Sequence, residues 1–297
     1  MAADAYDPRA FPAFAVTVDI AVFTLIDLPV PPKSGQAPRK ELAAVLIVRG
    51  GDTEAGRYAL PGGFVHEDED LPDAAIRELH EEAGLELPPS AIHQLRAYGD
   101  PDRDPRMRVV TVAHTALAVI DIALEAGTDA NEVEIVPIRK VLDGEISLAF
   151  DHDQILKDAL GFIQGLVEET SAILELLPDS FTLTELRYAV EAVWGFEVDR
   201  ATFNKRVLHI EGFLEDDDSD VYDSHESSPS GEYMMLSLEP SLLEIRSKQS
   251  TRGRPAKKYR RSWAETLHPP LLRPRERLKE TDSWYENVSL KSLMSDE

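Results

Sequence analysis

Residues 63–85, GFVHEDEDLPDAAIRELHEEAGL, contain the pattern that decides the fold of this chain. Within this stretch, residues 72–83 predict a helix, because Pro72 suits a first helical turn and Gly84 suits a C-terminal cap. Fixed residue types surround the helix at fixed spacing, in the pattern G-x5-E-x7-R-E-U-x-E-E-x-G-U, where U is aliphatic. So many matched positions favour a functional site over an ordinary acidic helix surface.

Three glutamates of this predicted helix share one face. Glu78, Glu81 and Glu82 are at positions i, i+3 and i+4, which are neighbours on a helix surface. Like charges at this spacing destabilise a helix on its own. Hard divalent cations such as Mg²⁺ are bound by carboxylate oxygens together with substrate phosphates, and such a cation relieves the repulsion. The spacing therefore predicts a metal site that acts on a phosphate-containing substrate.

The stretch resembles the signature box of the Nudix hydrolase family. The resemblance implies an α/β fold, an α/β/α sandwich with a mixed sheet, and cleavage of a nucleoside diphosphate linked to another moiety. It also implies that Arg77 orients the carboxylates, that Glu69 supports the loop, and that Mg²⁺ or Mn²⁺ activates water and neutralises phosphate charge. The ligands implied for the metal are Glu78, Glu81, Glu82 and the carbonyl of Gly63. The general base is either in the box or on a later loop, and the sequence leaves both open.

Composition restricts the remaining possibilities. The 297 residues are enough for two domains, and the absence of cysteine excludes disulfides and thiolate chemistry. No apolar run is long enough to span a bilayer and the N-terminus lacks a signal pattern, so we expect a cytoplasmic protein without a membrane partner. The net charge of −24 opposes nucleic-acid binding by the chain as a whole, but residues 252–279 are locally basic.

Hydrophobic periodicity divides the chain. Apolar segments rich in β-branched residues predict strands at 13–26, 41–49, 107–121 and 132–137, and residues 58–64 predict a short strand that breaks into a turn before the acidic helix. Apolar residues then recur at helical spacing from 151 to 177, which predicts one long linker helix. The predicted organisation is a Nudix domain over 10–150, a linker helix over 151–177, a second domain over 178–262 and a tail over 263–297.

The second domain has the layout of a winged helix-turn-helix. The sequence predicts a helix capped by Thr184, a turn at Gly195, a second helix beginning near Asp199, and a basic wing over 251–261. An ordinary helical bundle with a solvated basic loop is the alternative. The residues predicted to contact DNA are Arg200, Asn204, Lys205, Arg206, Arg252, Arg254, Lys257 and Lys258.

The two halves together resemble NrtR-type regulators, the Nudix-related transcriptional regulators of NAD metabolism, over roughly residues 10–262. This resemblance implies a homodimer that binds ADP-ribose or a related nucleotide and a double-stranded, palindromic DNA operator. Two features differ from the family pattern. The box is complete, which favours retained catalysis, and an acidic insert at 216–250 separates the second helix from the basic wing.

The loop before the strand predicted at 107–121 gives a clue to the substrate. Pro101 lies about sixteen residues beyond the box, where Nudix enzymes that split ADP-ribose commonly have a proline. Arg103 and Arg106 in the same loop are candidates to bind phosphate, and a plain hairpin loop is the alternative.

Three functions therefore remain open at the level of sequence. The chain is a DNA-binding regulator with a Nudix sensor, or a Mg²⁺-dependent ADP-ribose pyrophosphatase whose C-terminal domain serves dimerisation or protein binding. The third possibility is that both activities are kept, with hydrolysis resetting the sensor.

Overall fold

The computed structural model describes residues 12–29, 37–120, 133–217 and 256–273. The predicted DNA contacts of Arg252 and Arg254 fall outside the described residues, as do most of the acidic insert at 216–250 and most of the tail at 263–297. No helix in the described part of the chain is long and apolar enough to cross a membrane.

The first half of the chain forms a seven-stranded mixed sheet with the order β3-β2-β1-β6-β5, in which β4 also pairs with β1 and β7 with β2. Strands β1 and β6 are parallel, and the other pairs are antiparallel. The strands are β1 (Ala15–Asp27), β2 (Lys40–Val48), β3 (Tyr58–Ala59), β4 (Gly62–Phe64), β5 (His93–Tyr98), β6 (Val109–Leu117) and β7 (Val133–Pro137). The predicted strands are confirmed, but β5 was missed because its sequence, HQLRAY, lacks β-branched residues.

Helices cover both faces of this sheet. Side chains of β1 alternate between the two faces, so that Val18 and Ile20 pack toward α1 (Leu71–Ala83) while Ala21 and Phe23 pack toward α3 (His152–Glu169). The short α2 (Ile138–Leu142) follows β7. This arrangement confirms the predicted α/β/α sandwich.

The helix predicted over 151–177 is wrong as a single element. It is divided at Thr170, which has the extended conformation φ −132°, ψ 170° and accepts a hydrogen bond from the backbone N–H of Ala172 through its side chain. Helix α3 ends at Glu169, and a 3₁₀ helix follows over Ser171–Leu176. Because the buried side chains of α3 belong to the sheet's core cluster, α3 forms a layer of the sandwich. The predicted domain boundaries stay predictions.

The second unit has winged-helix topology. Helices α4 (Leu183–Trp194) and α5 (Arg200–Val207) accompany a three-stranded sheet of order β8-β10-β9, formed by Phe181–Thr182, Lys258–Arg261 and Leu214–Asp216. The predicted cap at Thr184 is wrong, because Thr182 forms the capping box with Glu185 and Thr184 lies in the first turn. Helix α5 begins next to Asp199 as predicted, and the side chain of Asp199 caps it. The buried residues of this unit are continuous with those of the sandwich.

Candidate functional site

A cavity of about 420 Å³ opens between α1, the turn before it, β1 and the N-terminus of α3. Its lining is predominantly polar and charged, with acidic and basic side chains facing one another. The acidic residues are Asp19, Glu78, Glu81, Glu82 and Asp104, and the arginines are Arg49, Arg77, Arg103 and Arg106. Gly62, Gly63, Phe150 and His152 complete much of the remaining wall.

Two glycines allow the turn before α1 to lie directly on the glutamates. A Cβ atom on Gly63 would lie 2.3 Å from Oε1 of Glu78, and one on Gly62 would lie 2.2 Å from the carbonyl oxygen of Val18. The N–H of Gly62 donates to Oε2 of Glu82 at 2.8 Å. A side chain on Gly62 would collide with the backbone of β1, and one on Gly63 would displace the carboxylate of Glu78, so the close approach on both sides of the turn requires glycine.

Arg77 connects the acidic residues of the box by hydrogen bonds. Its Nε and Nη2 donate to the two oxygens of Glu69 at 2.9 and 2.6 Å, and its Nη1 donates to Glu78 at 2.7 Å and to Glu81 at 3.1 Å. Nη2 also donates to the carbonyl of Phe64. The hydrogen bond from Arg77 lowers the pKa of Glu69 to about 2, and Glu69 in turn accepts the N–H of His66. Arg77 therefore fixes α1 against the preceding turn.

The donor set suits a divalent cation in type and location. Burial raises the pKa of Glu82 to about 7, and the nearby Glu78 contributes to this shift, so a cation beside these groups would relieve an unfavourable charge. Within the described ranges, however, no three His, Cys, Asp or Glu side chains form a ready-made metal cluster. Arg77 binds one oxygen of Glu78 and one of Glu81, so the second oxygen of each carboxylate is the one that would be available to a metal.

Of the three predicted substrate-binding residues, two line the cavity and one does not. Arg103 lines the cavity, but it forms ion pairs with Asp151 at 2.7 Å and Asp19 at 3.3 Å. Arg106 also lines the cavity and pairs with Asp104 at 2.7 Å. Pro101 is exposed in the loop and is not part of the cavity wall. Both arginines already have carboxylate partners, so their phosphate-binding role stays a prediction.

Several residues of the cavity were not predicted from the sequence. Asp19 is buried on β1, with Nε2 of His152 at 3.4 Å from its carboxylate. Nδ1 of His152 accepts the N–H of Leu60 at 2.9 Å, and burial lowers the pKa of His152. A single acidic residue in the apolar strand VTVDIAV was the available signal for Asp19. Arg49 and Phe150 gave no comparable signal, because only the fold brings them to the cavity.

The winged-helix unit exposes part of the predicted DNA-binding set. Arg200 and Lys205 are exposed on α5, and Asn204 is half-buried beside them. Arg206 donates to the carbonyl of Leu272 at 3.2 Å. On the wing, Lys257 forms an ion pair with Asp216 at 2.6 Å, and Lys258 begins β10. The exposed cations of α5 are therefore the clearest candidates for phosphate contacts.

Comparisons with known proteins match both halves. The family description "NUDIX domain" matches residues 36–159, and "NrtR DNA-binding winged helix domain" matches residues 173–227. The ADPR responsive transcriptional repressor NtrR of Acinetobacter baylyi is 29% identical over 72% of this chain and 79% of its own length. The ADP-ribose pyrophosphatase of Methanocaldococcus jannaschii is 39% identical over 42% of this chain and 70% of its own length.

A solved structure resembles both halves of the chain. The crystal structure of Shewanella oneidensis NrtR complexed with a 27mer DNA is 26% identical, covers 85% of this chain and 99% of that chain, and gives a TM-score of 0.58. The likeness therefore extends across both the sandwich and the winged helix.

Proposed function

Because this chain belongs to the Nudix family and has the NrtR-type architecture of a Nudix domain followed by a DNA-binding winged helix, we propose that it is a transcriptional repressor that responds to ADP-ribose. The observation that carries this proposal is the presence of a charged cavity in a sandwich whose apolar core, on its α3 face, is continuous with that of the winged helix. Ligand binding in the sandwich can then bias the position of α5.

The DNA-binding part of the proposal is supported by exposed charge on α5. Arg200 lies at the N-terminus of the helix and Lys205 one turn later, and neither has an ion-pair partner in the part of the chain that the structure describes. In a winged helix-turn-helix the second helix enters the major groove, where such cations contact phosphates. A homodimer on a palindromic operator in the cytoplasm is part of the same proposal.

A second proposed activity is the Mg²⁺- or Mn²⁺-dependent hydrolysis of ADP-ribose. It is supported by the complete set of Glu78, Glu81 and Glu82 on one cavity wall and by the likeness to an ADP-ribose pyrophosphatase. The metal would be held by these carboxylates and the Gly63 carbonyl, and would supply charge neutralisation and an activated water. Arg77 orients the carboxylates, while Gly62 and Gly63 hold the turn against them.

The regulator proposal is tested by DNA selection. The full chain should enrich one palindromic sequence from random duplexes, and the selected duplex should lose affinity when Arg200 and Lys205 are both changed to alanine. Enrichment that is unaffected by this double change would show that α5 does not read the DNA.

The hydrolase proposal is tested by release of AMP from ADP-ribose with Mg²⁺. We expect Glu82→Gln to abolish release, because the amide can still accept the Gly62 N–H but cannot supply a charged metal ligand. Glu86→Gln removes the same charge from an exposed position after α1 and is the matched control. Equal turnover in the wild type and Glu82→Gln would overturn the assignment.

A further inference from the structure

Phe150 has an unusual backbone conformation at the edge of the cavity. Its φ angle is +53°, in the left-handed region that L side chains rarely adopt. The residue lies in a turn that is closed by a hydrogen bond of 3.1 Å from the N–H of His152 to the carbonyl of Ala149. The second position of a turn with positive φ is ordinarily glycine. A bulky residue held in such a conformation is typical of a functional position.

The Phe150 ring lies among charged side chains of the cavity. The guanidinium carbon of Arg49 is 4.6 Å from the ring centroid and that of Arg106 is 5.8 Å away. The imidazole of His152 is 5.7 Å away and tilted by 48°. All four residues line the cavity. The strained turn therefore places an aromatic face where two arginines approach it.

Arg49 differs from the other three cavity arginines in its charge environment. Arg77 is paired with Glu69, Arg103 with Asp151, and Arg106 with Asp104. The Nε of Arg49 approaches only the carbonyl of Thr53, at 3.4 Å. Among the residues with described positions, no carboxylate lies within ion-pair distance of Arg49. Among the described residues, Arg49 is thus the cavity arginine without a directly bonded carboxylate, although its charge acts on Glu82 at longer range.

We propose that Phe150 is a positioning residue that holds Arg49 in place to bind a phosphate of the nucleotide ligand. A guanidinium that lies over an aromatic ring uses its face, so the two Nη groups of Arg49 stay available for bidentate binding of a phosphate while Nε approaches the carbonyl of Thr53. The positive φ of Phe150 is the feature that brings the ring beneath Arg49. This inference rests on the proposed function and adds to it the residue pair that recognises the phosphate.

The test compares ligand affinities by calorimetry, without divalent cations, for the full chain and its variants. We expect Phe150→Leu to weaken ADP-ribose about tenfold or more, since leucine fills space without an aromatic face, and Phe150→Tyr to restore affinity to within about threefold. Inorganic pyrophosphate should follow the same order. Arg49→Gln should weaken ADP-ribose similarly, and combining it with Phe150→Leu should add little further loss.

A glycine variant separates this role from folding. Phe150→Gly suits the positive φ and removes the ring, so it should keep the wild-type circular dichroism spectrum while losing the same affinity. The inference would be overturned if Phe150→Leu and Phe150→Gly bound the ligand with unchanged affinity. It would also be overturned if the loss caused by Phe150→Leu added fully to the loss caused by Arg49→Gln. Either result would leave the proposed function intact. If the wild type binds pyrophosphate in a manner that depends on Phe150 but does not bind ADP-ribose, the proposal that ADP-ribose is the ligand would be wrong. A wild type that binds neither would overturn both.

Discussion

The buried imidazole of His114 predicts a loss of stability in mild acid. His114 lies on β6 and is 1% exposed. Its Nδ1 is 3.0 Å from the carbonyl oxygen of Val112, so the neutral ring donates there. Its buried Nε2 has no hydrogen-bond partner among the described residues. Protonation would leave a charged N–H without an acceptor, and burial accordingly lowers the pKa of His114.

The sign and size of the effect follow from proton linkage. Below the ordinary histidine pKa of 6.5, the unfolded chain binds a proton at His114 that the folded chain does not bind, so the free energy of unfolding falls as the pH falls. If the folded imidazole stays fully neutral, the loss between pH 7.5 and pH 5.5 reaches about 1.4 kcal/mol for this one residue. That value is an upper limit.

The assay is urea unfolding of the wild type and of His114→Asn at pH 7.5 and pH 5.5. Asparagine can keep the hydrogen bond to Val112 but does not titrate. Because its side chain is smaller than that of histidine, the variant should be less stable than the wild type by the same amount at both pH values. The wild type should lose up to about 1.4 kcal/mol more than the variant on acidification. Contributions of the other titrating groups cancel in this difference. An identical pH dependence in the two proteins would refute the reasoning.

The remaining predictions concern the box, the DNA-binding helix and the cap of α4. Gly63→Ala should weaken Mg²⁺ binding about tenfold or more in calorimetry, because its Cβ would lie 2.3 Å from Glu78; unchanged affinity would exclude this close packing. The double change Arg200→Ala with Lys205→Ala should reduce the slope of log affinity against log salt by about 2, whereas Arg139→Ala with Lys140→Ala on α2 should not. Thr182→Ala should lower the free energy of unfolding by about 1 kcal/mol through loss of the capping box, and a smaller effect for Thr184→Ala would confirm which threonine is the cap.

The sequence predicted the elements whose signals are local. The helix of the box, its glycine cap and the two helices of the winged unit follow from residue spacing and capping residues, and the structure confirms them. The break at Thr170 was not predicted, because the apolar periodicity continues across it while the backbone becomes extended. Tertiary packing thus decided a boundary that the periodicity left undefined.

The cavity was less predictable because distant segments form it. Asp19 on β1, Arg49 after β2, and Phe150 and His152 at the start of α3 come together only when the sheet is assembled. The ion pairs of Arg103 and Arg106 could not be predicted from the sequence either. Asp151 is far from Arg103 in sequence, and Asp104 faces Arg106 only because of the conformation of their loop. A motif indicates the chemistry of a site, but the partners of its charged groups depend on the fold.

The most direct test of the central claim is the coupling between the two ligands. The operator affinity of the full chain should be measured by fluorescence anisotropy with and without saturating ADP-ribose, on the duplex obtained by selection. We expect a change of about tenfold or more in the operator dissociation constant, and by linkage the same factor in ADP-ribose affinity when DNA is bound. An operator affinity that does not change, in a protein shown by calorimetry to bind ADP-ribose, would contradict the claim that the cavity regulates the winged helix.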